Sequence, residues 1–419
     1  MTTLALLSLI VTTAALFGWL SSRVLRLPIT IGTMLLTVVA ALALSLLSHG
    51  TPALHDWAQT LVGRIKFEDL ILHGMLGLLL FAGAFLLDLA YLSREKLAVG
   101  LLSVFGTLFS TAAVAALMHW TLPLAGINAS WMACLFFGSL ISPTDPIAVL
   151  EMLHRVGVPK NIQAQLAGES LFNDGVGAVL FLAVLDASRG TAPSALQITG
   201  SLLLKSGGGL LLGVLLARIT SELMRLVDAY QIEILLTLSL ALGGYSLAET
   251  FHISAPLEAV AAGLALRQFN LKHGDHEISH DSLERFWGAI DEVQNAVLFV
   301  LLGLEVLVIA FNRATFASGA LAIVEVTAVR AAVVAVILMS LRQLQPGHKT
   351  SILTLTWGGL RGGLSIALAL SVPLLQGRDW ILATTYLVVV FSIVVQGGTL
   401  DLFLRRFGIS GERDFSAHH

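Results

Sequence analysis

The chain has 419 residues, of which 56% are hydrophobic and only 12% are charged. Soluble domains carry about twice that charged fraction, so the composition excludes a soluble globular protein and indicates a polytopic membrane protein. The formal net charge of -3 does not point to a partner, and no nucleic acid is expected as one. The single cysteine, Cys134, excludes an internal disulfide and a metal site built from several cysteines.

The predicted elements are membrane-spanning helices. A helix needs about 20 apolar residues to cross a bilayer, so shorter apolar stretches are weaker candidates. The stretch 254–266 is the weakest, because it is short and contains Glu258. Thirteen stretches qualify, in chain order: 3–20, 27–48, 70–89, 97–119, 130–153, 161–186, 195–217, 230–250, 254–266, 284–311, 315–341, 350–375 and 379–403. We therefore expect an all-α fold with about 13 transmembrane helices.

Lysines and arginines are unevenly distributed among the connections between these stretches. If the N-terminus lies outside, most of them fall on inner connections, including Arg94, Lys96 and Lys160, and few fall on outer ones. Cytoplasmic loops carry the excess of these residues in membrane proteins. We therefore expect a multi-pass protein of the inner cell membrane, with an outside N-terminus, a cytoplasmic C-terminus and a short cytoplasmic tail at 406–419.

Two of the predicted spans are interrupted. The fifth contains Ser-Pro-Thr-Asp-Pro at 142–146, and proline cannot continue a helix undisturbed. The twelfth contains Gly-Gly-Leu-Arg-Gly-Gly-Leu-Ser at 358–365. Such glycines also serve as packing devices, but the embedded Arg361 favours a functional role. Paired interrupted helices are typical of inverted-repeat transporters, whose ion site lies at mid-membrane.

The sixth span carries a polar patch. Helical neighbours lie three or four positions apart, so Glu169 stacks on Asn173, and Ser170 stacks on Asp174. A charge in hydrocarbon costs several kcal/mol, in order of magnitude, and is tolerated mainly where an ion or a proton is handled. Hard cations prefer carboxylate, hydroxyl and carbonyl oxygens. Asp174, Thr144, Ser170 and the unwound backbone therefore form the predicted cage for a monovalent cation.

The other polar residues have alternative roles. Asp145 is a candidate ion- or proton-binding residue, or a helix cap at the first interruption. Glu169 is expected to form a salt bridge with Arg330 or Arg361, since each mid-span arginine needs an acidic partner. Arg361 is expected to offset the carbonyl ends at the second interruption. Asn173 is expected to act as a hydrogen-bonding strut between the interruptions rather than as a ligand.

A buried carboxylate also binds a proton, so H⁺ and a cation compete for Asp174. The site moves between the two sides of the membrane only when H⁺ or the cation neutralises Asp174, which makes exchange obligatory. This predicts a secondary active transporter rather than an enzyme, with no cofactor. The alternatives are a cation channel or uniporter, a membrane pH or ion sensor, and an intramembrane hydrolase. A hydrolase is disfavoured because no mid-span histidine lies near Ser170.

Three motifs together resemble those of the NhaP-type monovalent cation:proton antiporters, relatives of the animal sodium/proton exchangers in the CPA1 family. They are Ser-Pro-Thr-Asp-Pro at 142–146, Gly-Glu-Ser-Leu-Phe-Asn-Asp-Gly at 168–175, and the glycine-rich segment at 358–365. Arg330 and Phe-Val-Leu-Leu-Gly-Leu-Glu at 299–305 match further family features.

The resemblance implies exchange of Na⁺, or of K⁺ or Li⁺, for H⁺ at Asp174, with Thr144 and Ser170 as ligands. Asn173 before Asp174 looks like the pattern of electroneutral one-for-one exchangers. The resemblance also implies a homodimer in the lipid bilayer. The unit 1–405 then divides into a transport core at about 70–186 and 284–375, and a dimerisation part at about 1–48, 195–266 and 379–403.

Two positions depart from the pattern. Many relatives have an acidic residue in the third span, where this chain has Ala82. The ninth span carries Glu258 where a small apolar residue is expected. These departures leave the ion preference open.

Overall fold

The computed structural model describes residues 3–25, 27–48, 70–189, 195–227, 229–272, 277–307, 309–341 and 348–407. Within these ranges the chain is helical, and the only β-bridge joins Asp145 to Leu360. The expected tail lies almost wholly outside the described residues. The first eight helices are α1 Thr3–Leu20, α2 Ile29–Ser48, α3 Leu76–Leu86, α4 Leu89–Leu101, α5 Thr107–Thr121, α6 Trp131–Ile141, α7 Ile147–Val156 and α8 Lys160–Ser188. The remaining helices are α9 Ala195–Met224, α10 Tyr230–Thr250, α11 Ala255–Lys272, α12 Glu277–Leu304, α13 Arg313–Ser340, α14 His348–Trp357, α15 Gly363–Leu370, α16 Arg378–Phe391 and α17 Gly398–Arg406.

The all-α membrane architecture is confirmed. In the described part of the chain, 7 helical segments are long and apolar enough to cross a membrane, and shorter apolar helices accompany them. Several segments contain π-helical turns that join consecutive helices, such as Leu102–Gly106 between α4 and α5. The count of 13 crossings stays a prediction.

Several helix boundaries differ from the expected spans. The fourth span begins at Leu89 rather than at 97, because Asp88 caps α4 by accepting a hydrogen bond from the Ala90 backbone N at 3.0 Å. The tenth span lies at Glu277–Leu304, earlier than the expected 284–311, and the helix as a whole is amphipathic. Hydropathy places a helix end where the apolar run ends, whereas capping and packing set the real boundary.

The predicted interruptions are both present. The fifth span divides into α6 and α7 around residues 142–146, and the twelfth divides into α14 and α15 around residues 358–362. We call these two connections together the crossing. Helix α8 runs unbroken beside the crossing and packs on α4, α6 and α11.

The buried apolar side chains that hold the crossing in place belong to three clusters. One contains Val149, Leu166, Leu298, Leu355 and Leu360, and it joins both interrupted spans to α8 and α12. A second cluster packs α3 against α10 and α11, and a third packs α5 and α6 against α13, α15 and α16. The crossing is therefore enclosed on several sides by rigid helices rather than by loops.

Candidate functional site

The two interruptions meet directly. The backbone N of Asp145 donates to the backbone O of Leu360 at 2.8 Å, which forms the isolated antiparallel bridge. Each interruption exposes backbone groups that would otherwise be paired within a helix. Pairing them across the crossing satisfies some of these groups and fixes the two interrupted spans relative to each other.

The crossing is so tight that two positions require glycine. A Cβ atom on Gly362 would lie 2.6 Å from the Cβ and Cγ atoms of Asp145. A Cβ atom on Gly177 of α8 would overlap the ring of Pro143. The absence of a side chain is therefore what lets α8 and the second interruption approach the first one.

Thr144, Ser170 and Asn173 form one hydrogen-bonded group. The Oγ1 atom of Thr144 lies 2.9 Å from the Oγ atom of Ser170 and accepts a hydrogen bond from Asn173 Nδ2 at 2.9 Å. The backbone N of Thr144 donates to Asn173 Oδ1 at 3.2 Å. All three side chains are buried. The amide oxygen and the amide nitrogen of Asn173 thus both bond to Thr144 and attach α8 to the first interruption.

Asp174 lies at the edge of this group and faces a cavity of about 470 Å³. Its carboxyl is half-buried and makes no hydrogen bond or ion pair with any residue that the structure describes. Thr144 and Asp145 line the same cavity. At the surface the cavity is lined by Asp88, Tyr91 and Lys160, which we call the mouth. An unpaired carboxylate at the end of an accessible path is available to bind a cation or a proton.

Glu169 and Arg330 form a buried ion pair with two hydrogen bonds. Arg330 Nη1 donates to Glu169 Oε1, and Nη2 donates to Oε2 at 2.8 Å. The Nε and Nη2 atoms of Arg330 also donate to the backbone O of Leu355, at 3.2 and 3.0 Å. Since α14 ends two residues after Leu355, this arginine satisfies a carbonyl near the second interruption. The open choice between the two arginines therefore resolves to Arg330.

Arg361 has a different environment from the expected one. Its Nη1 atom donates to the backbone O of Pro143 at 3.1 Å, so it offsets the carbonyl end of the first interruption rather than of the second. It forms no ion pair within the described ranges, although Glu169 and Asp174 lie near enough to interact with it electrostatically. Its backbone N donates to Ser392 Oγ at 3.0 Å, and Ser392 donates to Gln396 Oε1 at 2.7 Å.

Sequence reasoning missed several of these residues. Ser392 and Gln396 stand four positions apart inside an apolar span, a spacing that could have indicated a polar pair on one helix face. Asp291 and Ser365 line the cavity. Asp291 could have been noticed from Asn295 four positions later. No group of three or more His, Cys, Asp or Glu side chains within the described ranges is arranged to hold a metal ion. The oxygen atoms that the crossing offers are the carboxylate of Asp174 and the hydroxyls of Thr144 and Ser170, which suit a hard cation.

The family model for the transmembrane part of sodium/hydrogen exchangers matches residues 11–406. The chain belongs to the sodium/hydrogen exchanger family. This exchanger is 38% identical over 431 residues to the Na⁺/H⁺ antiporter NhaP of Pseudomonas aeruginosa, an alignment that covers 99% of this chain and 100% of that protein. It is 32% identical over 355 residues to the Na⁺/H⁺ antiporter NhaH of Halobacillus aidingensis, covering 82% of this chain and 84% of that protein.

The fold of this exchanger is also that of a solved antiporter. The structure of the sodium proton antiporter MjNhaP1 from Methanocaldococcus jannaschii at pH 8 matches it with a TM-score of 0.75 at 19% identity. The match covers 96% of this chain and 98% of that one. The resemblance first drawn from three motifs is therefore confirmed for family and fold.

Proposed function

We propose that this exchanger transports a monovalent cation, Na⁺ in preference to K⁺ or Li⁺, in exchange for H⁺. The observation that carries the proposal is the position of Asp174, whose unpaired carboxyl faces a cavity that reaches the surface. The relatives that align over most of this chain are named Na⁺/H⁺ antiporters, which supports the same pair of substrates here.

Binding is proposed to occur at the crossing. Asp174 supplies the carboxylate, and Thr144 and Ser170 supply hydroxyl oxygens that lie 2.9 Å apart. Asp145 adds negative charge beside Asp174. Because the cation and the proton use the same carboxylate, binding of one releases the other. One cation is exchanged for one proton, so the cycle moves no net charge across the membrane and is electroneutral.

The supporting residues are proposed to keep this site assembled while the protein alternates its access. Asn173 attaches Thr144 to α8, and the Glu169–Arg330 pair attaches α8 to α14. Movement of the crossing as one body would then carry the site from one side to the other. An empty, charged Asp174 resists that movement because its desolvation is costly, which couples the two fluxes.

The mouth residues suggest which side the cavity faces. Lys160 and Tyr91 lie on the side that the lysine and arginine distribution assigns to the cytoplasm. We therefore propose an inward-open state, with the N-terminus outside. We also propose a homodimer in the inner membrane, with the transport core and the dimerisation part divided as the resemblance implies.

The test is exchange by the purified protein in liposomes that contain a pH-sensitive dye. Addition of Na⁺ is expected to move protons in wild-type protein, and Asp174→Asn is expected to abolish the response. Asp186→Asn, which removes an exposed carboxylate from the same helix, is the matched control and should exchange like wild type. Full exchange by Asp174→Asn would refute the proposal. A cation current that follows the membrane voltage and moves no protons would instead identify a channel.

A further inference from the structure

Helix α11 contains a buried carboxyl that the proposed exchange at Asp174 does not use. Glu258 is 0% exposed, and neither of its carboxyl oxygens has a hydrogen-bond partner. It forms no ion pair with any residue that the structure describes. It also stands where a small apolar residue is expected, so the family pattern does not account for it. A carboxyl without a partner in such surroundings needs something else to neutralise its charge.

Two neighbouring helices enclose Glu258 with glycines. A Cβ atom on Gly244 of α10 would overlap the Oε1 atom of Glu258 and would lie 2.8 Å from its Cδ atom. A Cβ atom on Gly213 of α9 would overlap the backbone O of Glu258 and would lie 2.9 Å from the Cβ atom of Ala261. The absence of side chains at these glycines lets three helices meet at the carboxyl. Glu258 does not line the cavity that Asp174 faces, so it lies outside the proposed cation path.

The titratable side chains on the elements that pack against Glu258 do not neutralise it. On α10, Tyr245 donates from its hydroxyl to the backbone O of Leu72 at 2.9 Å, and Glu249 is exposed. His252, in the turn before α11, is also exposed. Helix α3 carries no titratable residue. Three basic residues of α9 and α11 are paired with other acids: Lys205 with Asp186, Arg218 with Glu222, and Arg267 with Glu284.

The neutral acid is therefore the form of Glu258 that this packing accommodates. A carboxylate would lie in low-dielectric surroundings with no counter-charge and no hydrogen bond, which is the most costly arrangement for an ionisable group. Glu258 lies in the first turn of α11, where the helix dipole favours negative charge, but the dipole offsets only a small part of that cost. A protonated carboxyl carries no net charge and leaves only neutral polar atoms unpaired.

Helix α11 also contacts the helix that carries Asp174. A Cβ atom on Gly175 of α8 would lie 2.9 Å from the Cγ atom of Leu257, the residue that precedes Glu258. Consecutive residues point about 100° apart around a helix, so Leu257 packs on α8 while Glu258 packs on α9 and α10. A displacement of α11 that exposes Glu258 to water therefore changes the contact beside Asp174.

We infer that Glu258 holds a second proton, separate from the exchanged one, and that this proton keeps α11 packed against α9 and α10. Loss of the proton to hydroxide at alkaline pH leaves a carboxylate, which the enclosed site does not accommodate. Water then enters between α10 and α11, the displaced α11 disturbs the contact with α8, and exchange slows. The protonation of Glu258 stands apart from the proposed exchange, whereas its effect on the exchange rate rests on that proposed function.

Infrared spectroscopy of the purified protein tests the protonation. The C=O stretch of a carboxylic acid absorbs apart from the bands of a carboxylate, so a protonated Glu258 gives a band that Glu258→Gln lacks. The difference between the two spectra isolates this band from any protonated carboxyl elsewhere. The band is expected at neutral pH and should disappear at alkaline pH. Glu222→Gln, which removes an exposed carboxylate from α9, is the matched control and should keep the band.

The pH dependence of exchange in liposomes tests the effect on the rate. At saturating Na⁺, the exchange rate of wild type divided by that of Glu258→Gln is expected to fall as the pH becomes alkaline, by at most about tenfold per pH unit, because one proton is lost. Taking the ratio removes the pH dependence that Asp174 gives to both proteins. Glu222→Gln should follow wild type at every pH. Glu258→Ala, which carries the small side chain expected at this position, replaces Glu258→Gln if the amide disturbs folding.

Two results would overturn the inference. One is a Glu258→Gln spectrum that keeps the whole carboxylic acid absorption of wild type at neutral pH. The other is a ratio of exchange rates that does not change with pH. If wild-type protein exchanges and Asp174→Asn does not, either result refutes only the role of Glu258. If wild-type protein does not exchange Na⁺ for H⁺, the proposed function fails, and the infrared difference still decides whether Glu258 holds a proton.

Discussion

Removing one partner of the Glu169–Arg330 pair should destabilise this exchanger more than removing both. The two side chains are 0% and 5% exposed, and no solvent replaces a lost partner. Stranding a buried charge in this way costs about 3–5 kcal/mol. Glu169→Leu and Arg330→Met should each approach that loss. Glu169→Gln should lie below it, because the amide oxygen still accepts one of the two hydrogen bonds from Arg330.

The double variant Glu169→Leu/Arg330→Met removes both charges together. The main remaining loss is at the Leu355 backbone O, which accepts two hydrogen bonds from Arg330 and would become unpaired. An unpaired buried carbonyl costs about 1–3 kcal/mol. The double variant should therefore be more stable than either single variant, with a coupling energy of at least about 2 kcal/mol.

The assay is the midpoint of thermal unfolding of purified protein in one detergent, with all variants measured side by side. Glu222→Gln is the control, because Glu222 pairs with Arg218 and Arg225 at an exposed site. Exposed pairs contribute about 0–1 kcal/mol, so its midpoint should barely move. Single variants as stable as the control, or a double variant whose loss equals the sum of the single losses, would refute the reasoning.

Three further predictions concern the crossing. Asn173→Ala removes the hydrogen bonds at 3.2 and 2.9 Å to Thr144 and leaves the buried backbone N of Thr144 unpaired. It should therefore lower the free energy of unfolding by about 1–3 kcal/mol, measured by thermal unfolding. An unchanged midpoint would contradict the role of Asn173 as a hydrogen-bonding strut. Gly362→Ala should abolish dye-detected exchange, because the added Cβ would overlap Asp145. Gly398→Ala is the control and should retain exchange, because the space around its Cβ position is open. Equal activity of the two variants would show that the crossing accommodates the added methyl group. The Na⁺ concentration for half-maximal exchange should rise as pH falls, because one proton competes with one cation for Asp174. The rise should be at most about tenfold per pH unit. A Na⁺ concentration for half-maximal exchange that does not change with pH would argue against a shared carboxylate.

Much of the fold could be predicted, because membrane insertion imposes strong local constraints. Apolar length located the spans, and the prolines at 143 and 146 and the glycines at 358–363 located both interruptions. Where the predicted spans differ from the observed helices, they differ at their ends. The start of α4 depends on a cap at Asp88, and α12 begins in a polar stretch, seven residues before the predicted apolar span. Hydropathy does not register either effect.

The site could be predicted only as a set of residue types. Helical spacing placed Glu169, Ser170, Asn173 and Asp174 together, and the resemblance supplied their expected roles. The sequence could not show whether Arg330 or Arg361 pairs with Glu169, because both arginines stand at mid-span and far along the chain from Glu169. The choice depends on the position of the Leu355 carbonyl, which receives Arg330, and of the Pro143 carbonyl, which receives Arg361.

The sequence by itself determined that this protein lies in a membrane, that two of its helices are interrupted, and that a carboxylate stands beside them. These properties follow from the local chemistry of apolar length, proline, glycine and charge. Only the tertiary structure decided which carbonyl each arginine satisfies, that Asp174 faces an open cavity, and that Asp291 and Ser365 share it. Several of those facts depend on contacts between residues distant in the sequence, such as Glu169 with Arg330 and Pro143 with Arg361, whose relative positions are set by packing of several helices at once.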